Sequence, residues 1–223
     1  MAWDKTWETL FSSRPWGKYP GEDVIRFVAR HFYKVEIRSQ VKLLEVGSGT
    51  GANLWFMARE GFTVYGIEGS QAAVDLCNSR LNEEVFGWKG SVQSGDIVAL
   101  PFPDNSFDAV LDIEACYANS FDDAKNIYAE MVRVLKPGGK FYSRCFAKGS
   151  SGDETGEVVG YNAYVTTVGP AVGTGLARFT SREDIDVLLP KNLKIIELDL
   201  IERGALIQNH IIEWCITAEK SYV

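Results

Sequence analysis

Apolar positions along the chain alternate between a helical and a strand-like period. Val24, Ile25, Phe27, Val28 and Phe32 recur at helical spacing, with Arg26, Arg30 and Lys34 on another face, and predict a first helix. Residues 41–46 form a short apolar run that predicts a buried strand, and it runs into a glycine cluster, Gly47-Ser48-Gly49-Thr50-Gly51. Residues 52–60 read as a helix that stops at Gly61, 63–67 as a second strand, 70–82 as a second helix and 91–95 as a short third strand. A fourth strand, 107–113, follows the turn-forming string Pro103-Asp104-Asn105-Ser106. Residues 122–135 read as a helix ended by Lys136-Pro137-Gly138-Gly139, and 140–146 as a fifth strand.

Strands and helices alternating at these lengths predict an α/β fold with a parallel sheet and helices on both faces. The rhythm then changes. Residues 193–201 and 211–218 are two strands too close in sequence for a helical crossover, so an antiparallel pair is expected. Between the fifth strand and a helix near 181–189, residues 147–178 hold seven glycines and read as loop with room for a short hairpin. The aromatics Trp7, Phe11, Trp16 and Tyr19 lie in a segment that shows little helical order. Docking of that segment on the domain and lining of a pocket are both open readings for them.

Composition narrows the function. A chain of 223 residues with 46% hydrophobic and 24% charged residues has the material for one well-formed core, and one domain over 1–223 is expected. The balance of 23 basic against 30 acidic residues, net −7, argues against a free-standing nucleic-acid binder, which normally carries a basic surplus. The stripe Arg26, Arg30, Lys34 and Arg38 reads first as a solvated helix face. No apolar run approaches the roughly 20 residues of a membrane span, and the N-terminus lacks the pattern of a secretory signal. Cys77, Cys116, Cys145 and Cys215 lie far apart and make no zinc pattern, so no metal and a reducing, cytoplasmic setting are expected.

The glycine cluster follows a strand and opens a helix, a context in which backbone approaches a ligand closely at a helix N-terminus. Its glycines fit both a dinucleotide fingerprint and a loop for S-adenosylmethionine, so the neighbours must decide. Glu45 stands two residues before the first glycine, Glu68 ends the second strand and Asp96 follows the third. Farther on come Leu100-Pro101-Phe102-Pro103-Asp104-Asn105-Ser106-Phe107-Asp108 and Leu135-Lys136-Pro137-Gly138-Gly139. A dehydrogenase shares only the loop and the acid at Glu68.

With these motifs in this order, the chain resembles the class I S-adenosylmethionine-dependent methyltransferases, of small-molecule type, over residues 41–146. The resemblance implies a Rossmann-like, doubly wound, seven-stranded and mostly parallel sheet whose last strand is antiparallel. It implies S-adenosyl-L-methionine as cofactor, held by Glu45, Gly47, Ser48, Gly49, Gly51, Glu68, Gly69, Asp96, Ile97 and Ile113. Glu68 would take the ribose, and Asp96 with the Ile97 amide the adenine. Residues 1–38 and 147–178 carry no family motif and are expected to form a cap and an insertion serving as substrate lids. Ile113-Glu114-Ala115-Cys116 departs from the Asp/Asn-Pro-Pro-aromatic string of enzymes that methylate nucleic-acid amino groups.

For chemistry, Glu114 is the first candidate base, with Tyr117 beside it and His210 reaching in from the start of the last strand. Glu114 has an equally plain alternative, stabilising the segment that follows it. The expected reaction is methyl transfer to an oxygen or nitrogen of a small polar metabolite, with a sugar-type biosynthetic intermediate as one guess. The expected partner is that small molecule, with no nucleic acid and no membrane, in a monomer or homodimer. Rival readings are a protein or RNA methyltransferase, an NAD(P)-dependent oxidoreductase, and a non-catalytic cofactor-binding subunit.

Overall fold

The computed structural model describes residues 3–204 and 209–222. The two ends of the expected 1–223 domain lie outside that range. The centre is a seven-stranded sheet ordered β3-β2-β1-β4-β5-β10-β9. Its strands are β1 (Lys42–Val46), β2 (Thr63–Glu68), β3 (Lys89–Ser94), β4 (Phe107–Ile113), β5 (Leu135–Phe146), β9 (Leu193–Arg203) and β10 (Ile211–Lys220). The first five pair in parallel, and β10 runs antiparallel to both β5 and β9. This is the Rossmann-like order with the strand direction reversed once, as expected. Parallel strands place their carboxyl ends on one edge, and chain order reverses between β1 and β4, which is where such sheets open a ligand crevice.

Helices cover both faces: α2 (Glu22–Phe32), α3 (Ala52–Arg59), α4 (Gln71–Glu84), α5 (Phe121–Val134) and α6 (Arg182–Leu188). Ser70 and Ser120 cap α4 and α5 by accepting the amide three residues on, and Ser181 and Asp184 close a capping box on α6. One core fills the space between the sheet, α5 and α6, and a second lies under α2, α3 and α4. Phe27 of α2 stacks on Tyr142 of β5 at 4.9 Å between ring centroids, and burial of such a ring contributes about 1.5–3 kcal/mol. The basic stripe forms surface ion pairs: Arg26 with Glu22, Arg30 with Glu197, and Arg38 with Glu60.

Three segments differ from expectation. The aromatic N-terminal segment contains a helix, α1 (Thr6–Ser13), whose first amide donates to Asp4 Oδ1 at 2.8 Å. Eight residues are too few to hold a helix alone, and packing against α4 supplies what local propensity does not. Trp7 and Phe11, one turn apart, stack at 5.7 Å, and Trp16 sits edge-on to both.

The glycine-rich insertion forms a three-stranded antiparallel sheet of β6 (Glu157–Gly160), β7 (Ala163–Val165) and β8 (Leu176–Arg178). Its strands of three and four residues are too short to show an apolar period. The Lys-Pro-Gly-Gly string does end α5, but β5 begins at Leu135 instead of after the glycines. Leu135 pairs with Phe107, and the ladder slips before resuming at Lys140 opposite Ala109.

Candidate active site

The β1–α3 turn is built by backbone that favours glycine: Gly47, Gly49 and Gly51 have φ of +62°, +50° and +80°. At Gly47 space is also decisive, since an added Cβ would lie 2.2 Å from Cβ of Ala115. That contact joins the turn after β1 to the turn after β4, and the two together wall a cavity of about 420 Å3. The cavity is walled by Glu45, Gly47, Ser48 and Gly49 on one side, by Glu68, Gly69 and Ile97 on a second, and by Ile113, Glu114, Tyr117, Asn119 and Arg144 on a third. The N-terminal aromatics Trp3, Trp7, Phe11, Trp16 and Tyr19 close it, with Thr174 and Pro170 of the insertion. Trp3 packs directly over Gly69, where an added Cβ would lie 2.5 Å from its ring.

Glu45 is buried and its Oε1 accepts from Asn53 Nδ2 at 2.6 Å, while Oε2 has no hydrogen-bond partner. Burial pushes this carboxyl up to about 8, against the opposing Asn53 bond. Glu68 accepts the Gly49 amide on Oε2 and the Ser70 amide on Oε1, both at 2.9 Å. Burial raises Glu68 as well, and the amides oppose it. Ser48 Oγ is buried without a partner. An unsatisfied carboxylate oxygen, an unsatisfied hydroxyl and a glycine cradle are what a ligand with a cationic amine and hydroxyl groups requires. The residues present fit S-adenosylmethionine.

The other half is held by charge. Arg144 of β5 donates to Asp23 Oδ1 and to Glu114 Oε1, each at 2.8 Å, and Tyr142 donates to Asp23 Oδ2 at 2.8 Å. Glu114 itself has φ of +57°, an uncommon backbone for a non-glycine residue. Its amide donates to the Arg144 carbonyl at 2.9 Å, and Asp112 Oδ1 accepts the next two amides, which fixes the turn. Burial pushes Glu114 up, but the Glu213 carboxyl beside it and the Arg144 guanidinium outweigh it and hold the carboxyl below its ordinary value. Burial pushes the Tyr117 phenol up and keeps it protonated. Asn119 donates from Nδ2 to the Ala115 carbonyl at 3.1 Å, leaving Oδ1 unpartnered.

Of the expected site residues, the cavity gathers Glu45, Gly47, Ser48, Gly49, Glu68, Gly69, Ile97, Ile113, Glu114 and Tyr117. Three others lie off its wall. Gly51 turns the chain behind the loop against Cys77, and Asp96 accepts the Val98 amide at 3.2 Å beside the wall residues Gly95 and Ile97. His210 pairs with Glu202 away from the cavity, because β10 is separated from β4 by β5. Sequence reasoning missed Arg144, Asn119, Asn53 and Glu213. Arg144 and Glu213 did leave a signal, a charge inside a strand and apart from the other charges of that strand.

A parallel α/β sheet with a glycine turn and an acid at the end of the next strand defines a protein that binds an adenosine-type ligand at its switch point. Comparison narrows the class. The methyltransferase domain family matches residues 44–143. Over that segment, a little under half of the chain, it is similar to the methyltransferase domains that take their methyl group from S-adenosylmethionine. The sterol 24-C-methyltransferase of Yarrowia lipolytica is 36% identical over 128 residues, which cover 55% of this chain and 33% of that protein. The matched segment thus spans about a third of the length of that curated relative.

Among solved structures, a SAM-dependent methyltransferase from Methanosarcina mazei aligns with a TM-score of 0.65 at 20% identity, over 81% of this chain and 92% of its own. The 1,6-didemethyltoxoflavin-N1-methyltransferase of Burkholderia thailandensis aligns with a TM-score of 0.68 at 16% identity, over 90% of this chain and 77% of its own. These two share the fold. Acceptors in the relatives' names differ in the atom methylated, carbon in one and nitrogen in another.

Proposed function

We propose that the protein transfers a methyl group from S-adenosylmethionine to an oxygen or nitrogen of a small polar metabolite. The observation that carries this reading is the single cavity that joins the glycine turn to Glu114. When bound, the cofactor supplies an electrophilic methyl group, so the protein's task is to orient the acceptor, exclude water and remove a proton. Glu45, Ser48 and Glu68 hold the cofactor's polar groups, with Asp96 supporting the Ile97 turn. Glu114 accepts the acceptor's proton, a step that matters most for a hydroxyl. Tyr117, kept protonated, and Asn119 Oδ1 offer a donor and an acceptor that orient the same group.

The aromatic cap gives the acceptor a flat apolar wall, suited to a sugar face or a planar heterocycle. Cys77, Cys116, Cys145 and Cys215 are free thiols, all buried, which suits a reducing cytoplasmic setting. Among the described residues, no helix is long and apolar enough to cross a membrane. The test combines two measurements on the purified chain. Thermal stabilisation by S-adenosylhomocysteine but not by NAD(P) separates it from an oxidoreductase. Turnover of S-adenosylmethionine across a panel of hydroxylated and amino metabolites, with products identified by mass, separates it from a cofactor-binding subunit. Stabilisation without turnover on any acceptor contradicts the proposal.

A further inference from the structure

Behind Glu114 lies a cluster that the reaction as described leaves unused. Glu213 of β10 is completely buried, yet it is a carboxyl group on the strand two places from β4. Its Oε2 pairs with Arg203 of β9, and its Oε1 lies 3.3 Å from Arg144 Nε without hydrogen-bond alignment. Arg144 brings Glu114 beside it, donating from Nη2 to Glu114 Oε1 at 2.8 Å while the adjacent Nε faces Glu213 Oε1. Two carboxyl groups on one edge of a guanidinium resist joint ionisation, and a proton shared between them relieves the repulsion.

Charge counting agrees. Asp23, Glu114 and Glu213 face Arg144 and Arg203, three carboxyl groups against two guanidiniums. Asp23 accepts on one oxygen from Arg144 and on the other from the Tyr142 hydroxyl. The surplus charge therefore rests on Glu114 and Glu213, and one proton between them neutralises the cluster. The remaining titratable groups that act on Glu213 are Tyr117 and Cys215, and burial raises both above their ordinary values.

We infer that Glu114 and Glu213 act as one proton-accepting pair, with Glu213 a positioning residue that works through Glu114. The inference rests on the reading of Glu114 as the residue that faces the acceptor. A lone Glu114 clamped by Arg144 is too weak a base to take a proton from a hydroxyl. A second carboxylate against it raises the proton affinity of the pair, because like charges in contact resist joint ionisation. In the transfer step the acceptor's oxygen or nitrogen forms the bond to the methyl carbon. The sulfur–methyl bond breaks with its electron pair returning to sulfur, and the acceptor's proton passes to Glu114 of a pair that has first lost its own proton to solvent, so that the pair again shares one proton. Burial and Glu114 both raise Glu213, so the pair holds that proton above the usual carboxylate range and releases it to solvent after product leaves.

The experiment is the pH dependence of kcat/KM for Glu213→Gln, Arg203→Gln and Glu114→Gln, each checked for unchanged S-adenosylhomocysteine affinity. Wild type should show an acid limb above the ordinary carboxylate range. Glu213→Gln should shift that limb to lower pH and reduce turnover, with partial recovery in Glu213→Asp. Arg203→Gln removes a half-exposed cation and should shift the limb to higher pH, so the inference is tested even where Glu213→Gln does not fold. A limb unmoved by Glu213→Gln, or by Arg203→Gln, while Glu114→Gln abolishes it, overturns the pair and leaves Glu114 as the base. Normal turnover in Glu114→Gln overturns the base itself.

Discussion

The two walls of the cavity are made in different ways. The wall at the ends of β1, β2 and β3 is local: Glu45, Gly47, Ser48 and Gly49 are neighbours in sequence, and Glu68 reaches them through one strand pairing. Its shape comes from left-handed backbone and amides that point at a carboxylate. The wall at the ends of β4 and β5 is assembled from distant segments. Glu114 is held by Arg144, which also holds Asp23 near the N-terminus and approaches Glu213 near the C-terminus. Hydrogen bonds set the first wall; ionic contacts that depend on the whole sheet order set the second. A shared cofactor suits the first construction, and an acceptor that differs among relatives suits the second.

If the walls divide the labour in this way, substitutions should separate binding from chemistry. The largest effect is expected at Glu114. Glu114→Gln should lower turnover by roughly 10²–10⁴-fold while calorimetry gives wild-type affinity for S-adenosylhomocysteine. A matching loss of cofactor affinity would merge the two walls into one. Next comes Glu68→Ala, which removes an acceptor of two backbone amides and should weaken cofactor binding by about 1–3 kcal/mol. In that variant kcat at saturating cofactor should stay near wild type.

A smaller effect sharpens the account of Glu45. Its folded value of about 8 lies above its ordinary 4.5, so the free protein holds a proton on Glu45 at neutral pH. Folding alone therefore gains from this group at low pH and loses as pH rises from about 4.5 to about 8. A cationic amine beside Oε2 favours the carboxylate, so binding should release up to one proton at pH 7 and progressively less above pH 8. Calorimetry in buffers of different ionisation enthalpy reads this directly. Equal apparent enthalpies in all buffers would mean Glu45 does not change state.

The smallest effect concerns the two segments expected to serve as lids. Residues 3–19 and 147–178 meet across the cavity, where Asp4 lies against Gly175. Added S-adenosylhomocysteine and acceptor should slow their amide exchange more than that of β1 and β4. Equal protection with and without ligand would make both segments scaffold.

This contrast also explains what could be read before the structure. The sheet, its helices and the wall at the ends of β1 and β2 follow from periodicity and from motifs whose members lie close in sequence, such as Glu45 through Gly51. The helix at Thr6–Ser13 did not, because one turn bearing Trp7 and Phe11 carries too little pattern. Arg144 became a site residue only once β5 was set beside β4, and Glu213 approaches it only because β10 is inserted beside β5. The same topology kept His210 off the wall, since a strand that ends on the correct edge of a sheet can still lie too far along it. Asn119 follows Glu114 closely, but only the turn held by Asp112 aims it at the cavity.

The central claim is that a protic group is methylated beside Glu114. Its most direct test is turnover with S-adenosylmethionine carrying an isotope-labelled methyl group, followed by nuclear magnetic resonance of the product. The account predicts a labelled methyl bonded to oxygen or nitrogen. A labelled methyl bonded to carbon would contradict it.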